Sequence, residues 1–186
     1  MKTIFYFTTV LFLTHISVHA QDQKDSTAVK KDKQIIKKTM KFKIPSSLQE
    51  EHKELHHTLE KFTQLPGKTG IAAKEVAKLL HPHFIKEEEY ALPPLGLLGD
   101  LSNGKISAEM KPAIVLSDKL KQDLQQMLSE HQQIVASLEK LKKAAKEENY
   151  PDVLQFTETL KLHAQTEEQV LYPTVILIGE YLKLKL

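Results

Sequence analysis

Cysteine and arginine are both absent from this sequence, and the two absences narrow the kinds of protein it can be. Without cysteine the chain forms no disulfide, no thiolate zinc site and no iron–sulfur cluster, and it carries no cysteine nucleophile. Without arginine it has no twin-arginine export signal, so an exported form would cross the membrane unfolded and acquire any metal afterwards. The motifs of a serine hydrolase, a zinc protease and a phosphate-binding loop are missing too, which argues against those enzymes.

Net charge is close to zero, because 26 lysines oppose 24 acidic residues. The basic excess is local, since residues 21–43 contain eight lysines and three aspartates. We interpret this stretch as a flexible basic leader that holds the following domain away from the membrane or the processing site. A nucleic-acid-binding arm is the alternative, but an exported chain does not meet nucleic acid, so no nucleic-acid partner is expected.

The first twenty residues have the features of a removable signal peptide. Lys2 precedes an apolar run over residues 4–13 that is too short to span a membrane. Val18 and Ala20 place small residues at the −3 and −1 positions of a signal-peptidase site. Cleavage after Ala20 predicts an exported protein, periplasmic or secreted, whose mature form has no membrane span; an uncleaved anchor is the alternative. The predicted domains are a signal peptide at 1–20, the leader at 21–43 and a folded domain at 44–186.

After the leader, apolar residues recur at alternating steps of three and four, which is the period of an amphipathic helix. Residues 46–62 and 71–90 form two such segments, separated by the helix-breaking sequence PGKTG at 66–70. Two more segments come after them. One is long and is capped by Ser117, and the other begins at Pro151 in its first helical turn.

The remaining segments connect and close this set of helices. Residues 93–116 are rich in glycine, proline and small residues and predict an irregular crossover. Pro173 is expected to stop the fourth helix, and residues 174–186 then form a short apolar C-terminal helix. The predicted fold is therefore all-α: an up-and-down four-helix bundle with a crossover loop and a short C-terminal helix.

Polar residues interrupt the apolar stripe of each helix. An unpaired polar group in an apolar seam costs a few kcal/mol, and a metal ion is the partner that would satisfy several of them together. The interrupting residues, which we predict as metal ligands, are His52, His83, Glu87, His131, His163 and Glu167.

The same residues reveal an internal repeat. His131 follows His52 by 79 residues, and the HxxxE pair of His163 and Glu167 follows that of His83 and Glu87 by 80 residues. A spacing of four puts both members of an HxxxE pair on one helix face. One HxxxE pair is a weak signal, but two of them, each preceded by a stripe histidine at a matching distance, strongly indicate two half-sites that face each other.

The motifs that carry a family resemblance are EEH, HFIKEEEYALPP, SEH and HAQTEEQVLYP, which contain the six predicted ligands. They resemble the hemerythrin-like, or HHE cation-binding, domain over about residue 44 to the C-terminus. The resemblance implies a non-haem di-iron centre inside a four-helix bundle, with carboxylates that bridge the irons. Family members bind oxygen reversibly, sense oxygen or iron, or act on nitric oxide and stressed iron centres.

One position departs from the oxygen-carrying members. They have a further histidine one turn after the third-helix ligand, where this chain has Val135. The set resembles instead the four-histidine, two-glutamate type associated with nitrosative-stress protection. The cysteine-bearing N-terminal extension of some repair proteins of that type is absent, which argues against repair by a thiol route.

The expected cofactor is a pair of iron ions, with zinc or manganese as alternatives, and the expected partner is a small diatomic ligand, oxygen or nitric oxide. A periplasmic iron-binding or buffering module without redox chemistry is the alternative function. A third interpretation is an interaction protein with a structural metal. The sequence does not separate the first two, because both need the same six ligands, and it indicates no oligomeric state.

Two tyrosines and three further histidines of the same helices could lie near the site. Tyr90 and Tyr172 could line the pocket or could be packing residues with a tethered hydroxyl. Three further histidines lie off the stripes and are predicted to be surface residues: His56, His57 and His81.

Overall fold

A computed structural model describes residues 42–186, and this part of the chain is all-α. The predicted signal peptide, and the leader as far as residue 41, lie outside the described residues. Short 3₁₀ turns at Pro93–Leu97 and Ala108–Met110 form part of the crossover. The α-helices are α1 (Ser46–Thr63), α2 (Gly67–Lys86), α3 (Leu98–Ser102), α4 (Lys111–Glu147), α5 (Pro151–Thr166) and α6 (Tyr172–Lys185).

Helices α1, α2, α4 and α5 form the predicted four-helix bundle. Helix α1 packs on α2, α2 on α4 and α4 on α5, and α5 closes the ring against α1. The C-terminal helix α6 packs on the first part of α4, where the Ser117 hydroxyl donates to the Val175 carbonyl at 2.8 Å. Within residues 42–186, none of the helices is both long enough and apolar enough to cross a membrane.

A residue in the loop after α4 links the two helical hairpins, which are α1–α2 and α4–α5. The carboxylate of Glu148 accepts hydrogen bonds from the backbone N–H groups of Lys68 and Thr69 at 2.8 and 2.9 Å. These N–H groups lie in the first turn of α2, where no helical carbonyl can reach them, so Glu148 caps α2 from the other hairpin. Gly67 is required beside this cap, because its φ is +73° and a Cβ would lie 2.3 Å from Glu148 Oε1.

A π-helical segment follows each helix that carries an HxxxE pair. Glu87–Ala91 continues α2, and Glu167–Leu171 continues α5. In the first segment the backbone N–H of Leu92 donates to the carbonyl of Glu87, five residues back, at 2.8 Å. A π-turn holds more residues than an α-turn, so the residues after it are rotated to a different face. Both segments begin at a predicted metal ligand, and such segments are frequent at functional sites.

Three predicted helix boundaries are wrong. Helix α2 begins at Gly67 and not at residue 71, so residues 67–70 of the predicted break are helical. Ser117 does not cap a helix, because α4 already begins at Lys111 with Pro112 in its first turn. Ser117 is instead a buried residue that bonds α6. Pro173 does not stop the helix, because the chain passes from the π-helical segment directly into α6. Pro173 occupies the first turn of α6, a position at which the missing N–H of proline is tolerated.

The apolar core consists of two clusters with a polar layer between them. On α4, Met127 belongs to one cluster and Ile134 to the other, and His131 lies between them. We call the first the crossover-end cluster, which includes Tyr90, Leu92, Leu95, Leu116, Leu120, Met127, Tyr172 and Val175. We call the second the hairpin-end cluster, which includes Leu55, Leu59, Val76, Leu80, Phe84, Ile134, Leu138, Phe156 and Leu160.

Candidate metal centre

All six predicted ligand residues lie in the polar layer. Helix α1 contributes one histidine, α4 contributes another, and each HxxxE pair comes from the junction of a helix with its π-helical segment. Burial at this level demands partners for the polar atoms. The exposed fractions are 2% for His52, 2% for His83, 0% for Glu87, 2% for His131, 5% for His163 and 1% for Glu167.

The donor atoms form two groups of four, and both groups contain Glu87 and Glu167. Within each group the four donor atoms lie within 4.8 Å of one another. We call the group with His52 and His163 subsite A. The group with His83 and His131 is subsite B. The internal repeat of the sequence therefore produces two half-sites that share their carboxylates.

Each shared glutamate turns one oxygen toward each subsite. Glu87 Oε1 lies 3.2 Å from His83 Nε2 in subsite B, and Glu87 Oε2 lies 3.8 Å from His52 Nε2 in subsite A. Glu167 Oε1 lies 3.2 Å from His163 Nε2, and Glu167 Oε2 lies 3.4 Å from His131 Nε2. A carboxylate in this orientation can bridge two metal ions, binding one through each oxygen.

A second ring of carboxylates faces the outer nitrogens of the four histidines. Each histidine points Nε2 at the centre and Nδ1 at a glutamate on another helix. A carboxylate at Nδ1 holds the proton there and leaves the Nε2 lone pair for a metal. His83 and His131 bond Glu130 and Glu168 at 2.9 Å each. Glu51 lies 3.1 Å from His163 Nδ1, and Glu88 lies 3.4 Å from His52 Nδ1, which has no hydrogen bond among the described residues.

The closeness of the two shared carboxylates determines the protonation of the centre. Burial and the charge of Glu167 raise the pKa of Glu87. Burial acts on Glu167 in the same direction, but the nearby histidines His131, His163 and His52 outweigh it and hold the pKa of Glu167 well below its usual range. Burial lowers the pKa of His163, and Glu167 more than reverses this, so that the pKa rises to about 9. Protons therefore occupy the metal-free centre, and a cation would displace them.

The residues of the polar layer fit bound cations. Among residues 42–186, several of the buried donor atoms have no hydrogen-bond partner, and each such atom costs about 1–3 kcal/mol. A cation would satisfy them together, and imidazole and carboxylate are ligands of iron, zinc and manganese. The unpartnered atoms that face the centre are His52 Nε2, His163 Nε2, Glu87 Oε2, Glu167 Oε1 and Glu167 Oε2, and His52 Nδ1 on the outer side has no partner within the described residues either.

Comparison with protein families identifies the domain. The model of the hemerythrin HHE cation-binding domain matches residues 43–175, which include all six predicted ligands. The chain belongs to this family. Searches of curated proteins and of solved structures found no match. Family membership and the buried histidine–glutamate cluster agree that this hemerythrin HHE domain binds cations.

Of the two candidate tyrosines for the pocket of this hemerythrin HHE domain, Tyr172 contacts the centre. Its hydroxyl donates to Glu87 Oε1 and lies 3.5 Å from His131 Nε2, and its ring stacks on that of His131 with 5.7 Å between centroids. Burial and the nearby carboxylates raise the pKa of Tyr172, so the phenol stays protonated. Tyr90 instead donates its hydroxyl to Asp123 at 3.0 Å. The three off-stripe histidines, His56, His57 and His81, are exposed as predicted.

The carboxylates around the histidines are largely missed by reasoning from sequence. Helical rotation from Glu87 turns Glu88 and Glu89 toward solvent or the surroundings of the site, and of these two the structure places Glu88 near His52. A signal is present, because the repeat relates Glu51 to Glu130 across 79 residues and Glu88 to Glu168 across 80 residues, the offsets of the ligands themselves. In this hemerythrin HHE domain the repeat therefore covers both the inner donors and the groups that orient them.

Proposed function

We propose that this chain is a non-haem di-iron protein of the four-histidine, two-glutamate type that binds or reacts with oxygen or nitric oxide. We propose further that it is exported, to the periplasm or the medium. The observation that carries the di-iron proposal is the orientation of Glu87 and Glu167, each with one oxygen toward subsite A and one toward subsite B. A single ion would use one oxygen of each glutamate, and the other two oxygens would still face the two buried histidines of the second subsite.

The number of donors supports a reactive centre over a purely structural one. Each subsite offers four donor atoms, whereas octahedral iron takes about six ligands. Val135, on α4 one turn after His131, adds no imidazole. Bound iron would supply redox chemistry and positions for an outside ligand.

The chain itself would supply orientation and an apolar surrounding. Glu130 and Glu168 hold a proton at Nδ1 of His83 and His131, which leaves Nε2 as the atom of each imidazole that a metal would take. Phe84 stacks on His52 with 4.1 Å between ring centroids, and it lies nearly perpendicular to the His163 ring with 5.8 Å between centroids. Such apolar walls exclude water and favour a neutral diatomic gas over an anion.

Metal analysis tests the count of ions. Protein loaded anaerobically with ferrous iron should contain about two irons per chain, since two four-donor subsites are present. A content of one iron, or none above background, would contradict the di-iron centre. A stable two-zinc form that refuses iron would favour a structural metal.

Gas titration tests the reactivity. The reduced, iron-loaded protein should bind nitric oxide with a change in its electronic and Mössbauer spectra, and oxygen should oxidise it without reversible binding. If the spectra of the fully loaded protein do not change when nitric oxide is added, iron binding or buffering would remain as the function. Repeated oxygen cycling without net oxidation would instead indicate an oxygen carrier.

Export is tested by mass spectrometry of the mature chain. The expected N-terminus is Gln21, which follows the predicted cleavage after Ala20. Recovery of the chain with Met1 intact would contradict signal-peptide removal.

A further inference from the structure

The two subsites differ in how their donor atoms are occupied before any ion binds. In subsite A the four donors are His52 Nε2, His163 Nε2, Glu87 Oε2 and Glu167 Oε1. None of these four atoms has a hydrogen-bond partner among residues 42–186. An ion that enters subsite A therefore breaks no hydrogen bond between its ligands, and it displaces only the proton that His163 holds beside Glu167 Oε1, 3.2 Å away.

In subsite B most of the donor atoms are already engaged. His83 Nε2 and His131 Nε2 share a hydrogen bond of 2.8 Å. The Tyr172 hydroxyl donates to Glu87 Oε1, the oxygen that faces this subsite. Only Glu167 Oε2 remains unpartnered. An ion that enters subsite B must therefore separate two histidines and compete with a phenol for a carboxylate oxygen.

The internal repeat shows that the amino-acid sequence itself encodes this difference between the two subsites. Tyr172 lies 80 residues after Leu92, so the phenol of one half-site is replaced by an aliphatic side chain in the other. Phe84, which stacks on His52 in subsite A, has Ala164 as its counterpart 80 residues later. The inner ligands and the carboxylates at their Nδ1 atoms obey the twofold repeat, whereas Phe84 and Tyr172 do not.

We propose that divalent cations fill the centre in order, subsite A first and more tightly, and that the Tyr172 hydroxyl weakens subsite B. The inference rests on the proposed two-ion centre. The physical reason is the cost of breaking existing hydrogen bonds, which an ion meets in subsite B and avoids in subsite A. Removal of the hydroxyl takes away one competitor and should tighten the second binding step by about tenfold.

Calorimetric titration of the metal-free full chain with Co²⁺ measures the two steps. The wild-type protein should take up two ions with different affinities. Tyr172→Phe should tighten the weaker step and leave the tighter step unchanged. Tyr90→Phe is the matched control, because Tyr90 is also buried but donates its hydroxyl to Asp123, and it should change neither step. Circular dichroism confirms that each variant is folded.

The position of the first ion is found without any variant. Crystals of the wild-type chain loaded with one equivalent of Co²⁺ should show anomalous density between His52 and His163. Density between His83 and His131 would overturn the proposed order. A second binding step that Tyr172→Phe leaves unchanged or weakens would overturn the role of the hydroxyl.

The outcomes also separate this inference from the proposed function. Two ions that bind the wild-type chain with equal affinity would overturn ordered filling and leave the two-ion centre intact. Uptake of no more than one ion per chain would defeat the two-ion centre, and the ordered filling with it.

Discussion

Substitution of Glu130 by glutamine would weaken the metal centre without touching a ligand. Glu130 Oε2 lies 2.9 Å from His83 Nδ1, and its other oxygen is held by Lys86 and by Gln126, the latter at 3.0 Å. Burial opposes ionisation, but hydrogen bonds from His83 and Lys86 lower the pKa of Glu130, so the group is a carboxylate at neutral pH. Glutamine keeps the shape of this side chain and removes its charge.

The size of the effect is set by the change in hydrogen-bond type. A hydrogen bond to a charged group contributes about 1.5–3 kcal/mol, and one between neutral groups about 0.5–1.5 kcal/mol. Glu130→Gln should therefore weaken metal binding by about 1–1.5 kcal/mol, which corresponds to a dissociation constant about tenfold higher. The loss lies at the lower end of the range of about 10–100-fold found when such outer partners are mutated.

Competition titration against a chromophoric chelator measures this change. Glu147→Gln is the matched control, because Glu147 is on the same helix and is also paired with a lysine, Lys68 at 2.8 Å, but it is exposed and is not a partner of any centre histidine. The control should retain wild-type affinity. The reasoning is refuted if Glu130→Gln binds metal as tightly as the wild type, or if Glu147→Gln loses as much.

Other perturbations test the rest of the description. His83→Ala should lose metal and the metal-dependent rise in melting temperature, whereas His81→Ala should lose neither, and equal losses would contradict the ligand assignment. In the metal-free protein the raised pKa of His163, about 9, adds stability that is complete below about pH 6.5 and fades as pH rises through 9. A cation needs the neutral imidazole, so the gain in melting temperature on metal addition should grow from pH 6.5 to 9, and a constant gain would argue against proton displacement. Gly179→Ala would place a Cβ 2.1 Å from Ser117 Oγ, and urea unfolding should show a loss of about 1–3 kcal/mol; an unchanged midpoint would contradict the close packing of α6 on α4.

The inner site could be predicted because its signals are local in sequence. A histidine in a stripe of leucines is conspicuous, and His131 stands among buried residues of α4 as the periodicity indicated. The periodicity fails within the second π-helical segment, because the wider turn rotates its residues to a different face. An unbroken α-helical period puts Val170 on the buried stripe of the fourth helix, yet this residue is 53% exposed. Single-sequence patterns contain no direct sign of a π-turn, so the continuation of the helix through Pro173 could not be foreseen either.

Contacts between side chains on different helices were harder to predict from the sequence. The bond between Tyr172 and Glu87 joins residues 85 positions apart, and the bond between His83 and Glu130 spans 47 positions. Helical periodicity determines which face a residue occupies but not which residue on another helix lies opposite at the same height. The repeat offset carries part of that information, because a pairing found in one half of the chain has its counterpart in the other.

The polar layer between the two apolar clusters has a consequence for how the domain opens. Each cluster is held by packed side chains from several helices, while the layer between them contains unpartnered polar atoms. Without metal the two ends are therefore coupled weakly, and amide hydrogens at each end should exchange in separate local openings. Bound cations would join four helices at mid-height and merge the two openings into one. Metal uptake would then be the step that makes the whole domain open as one cooperative unit.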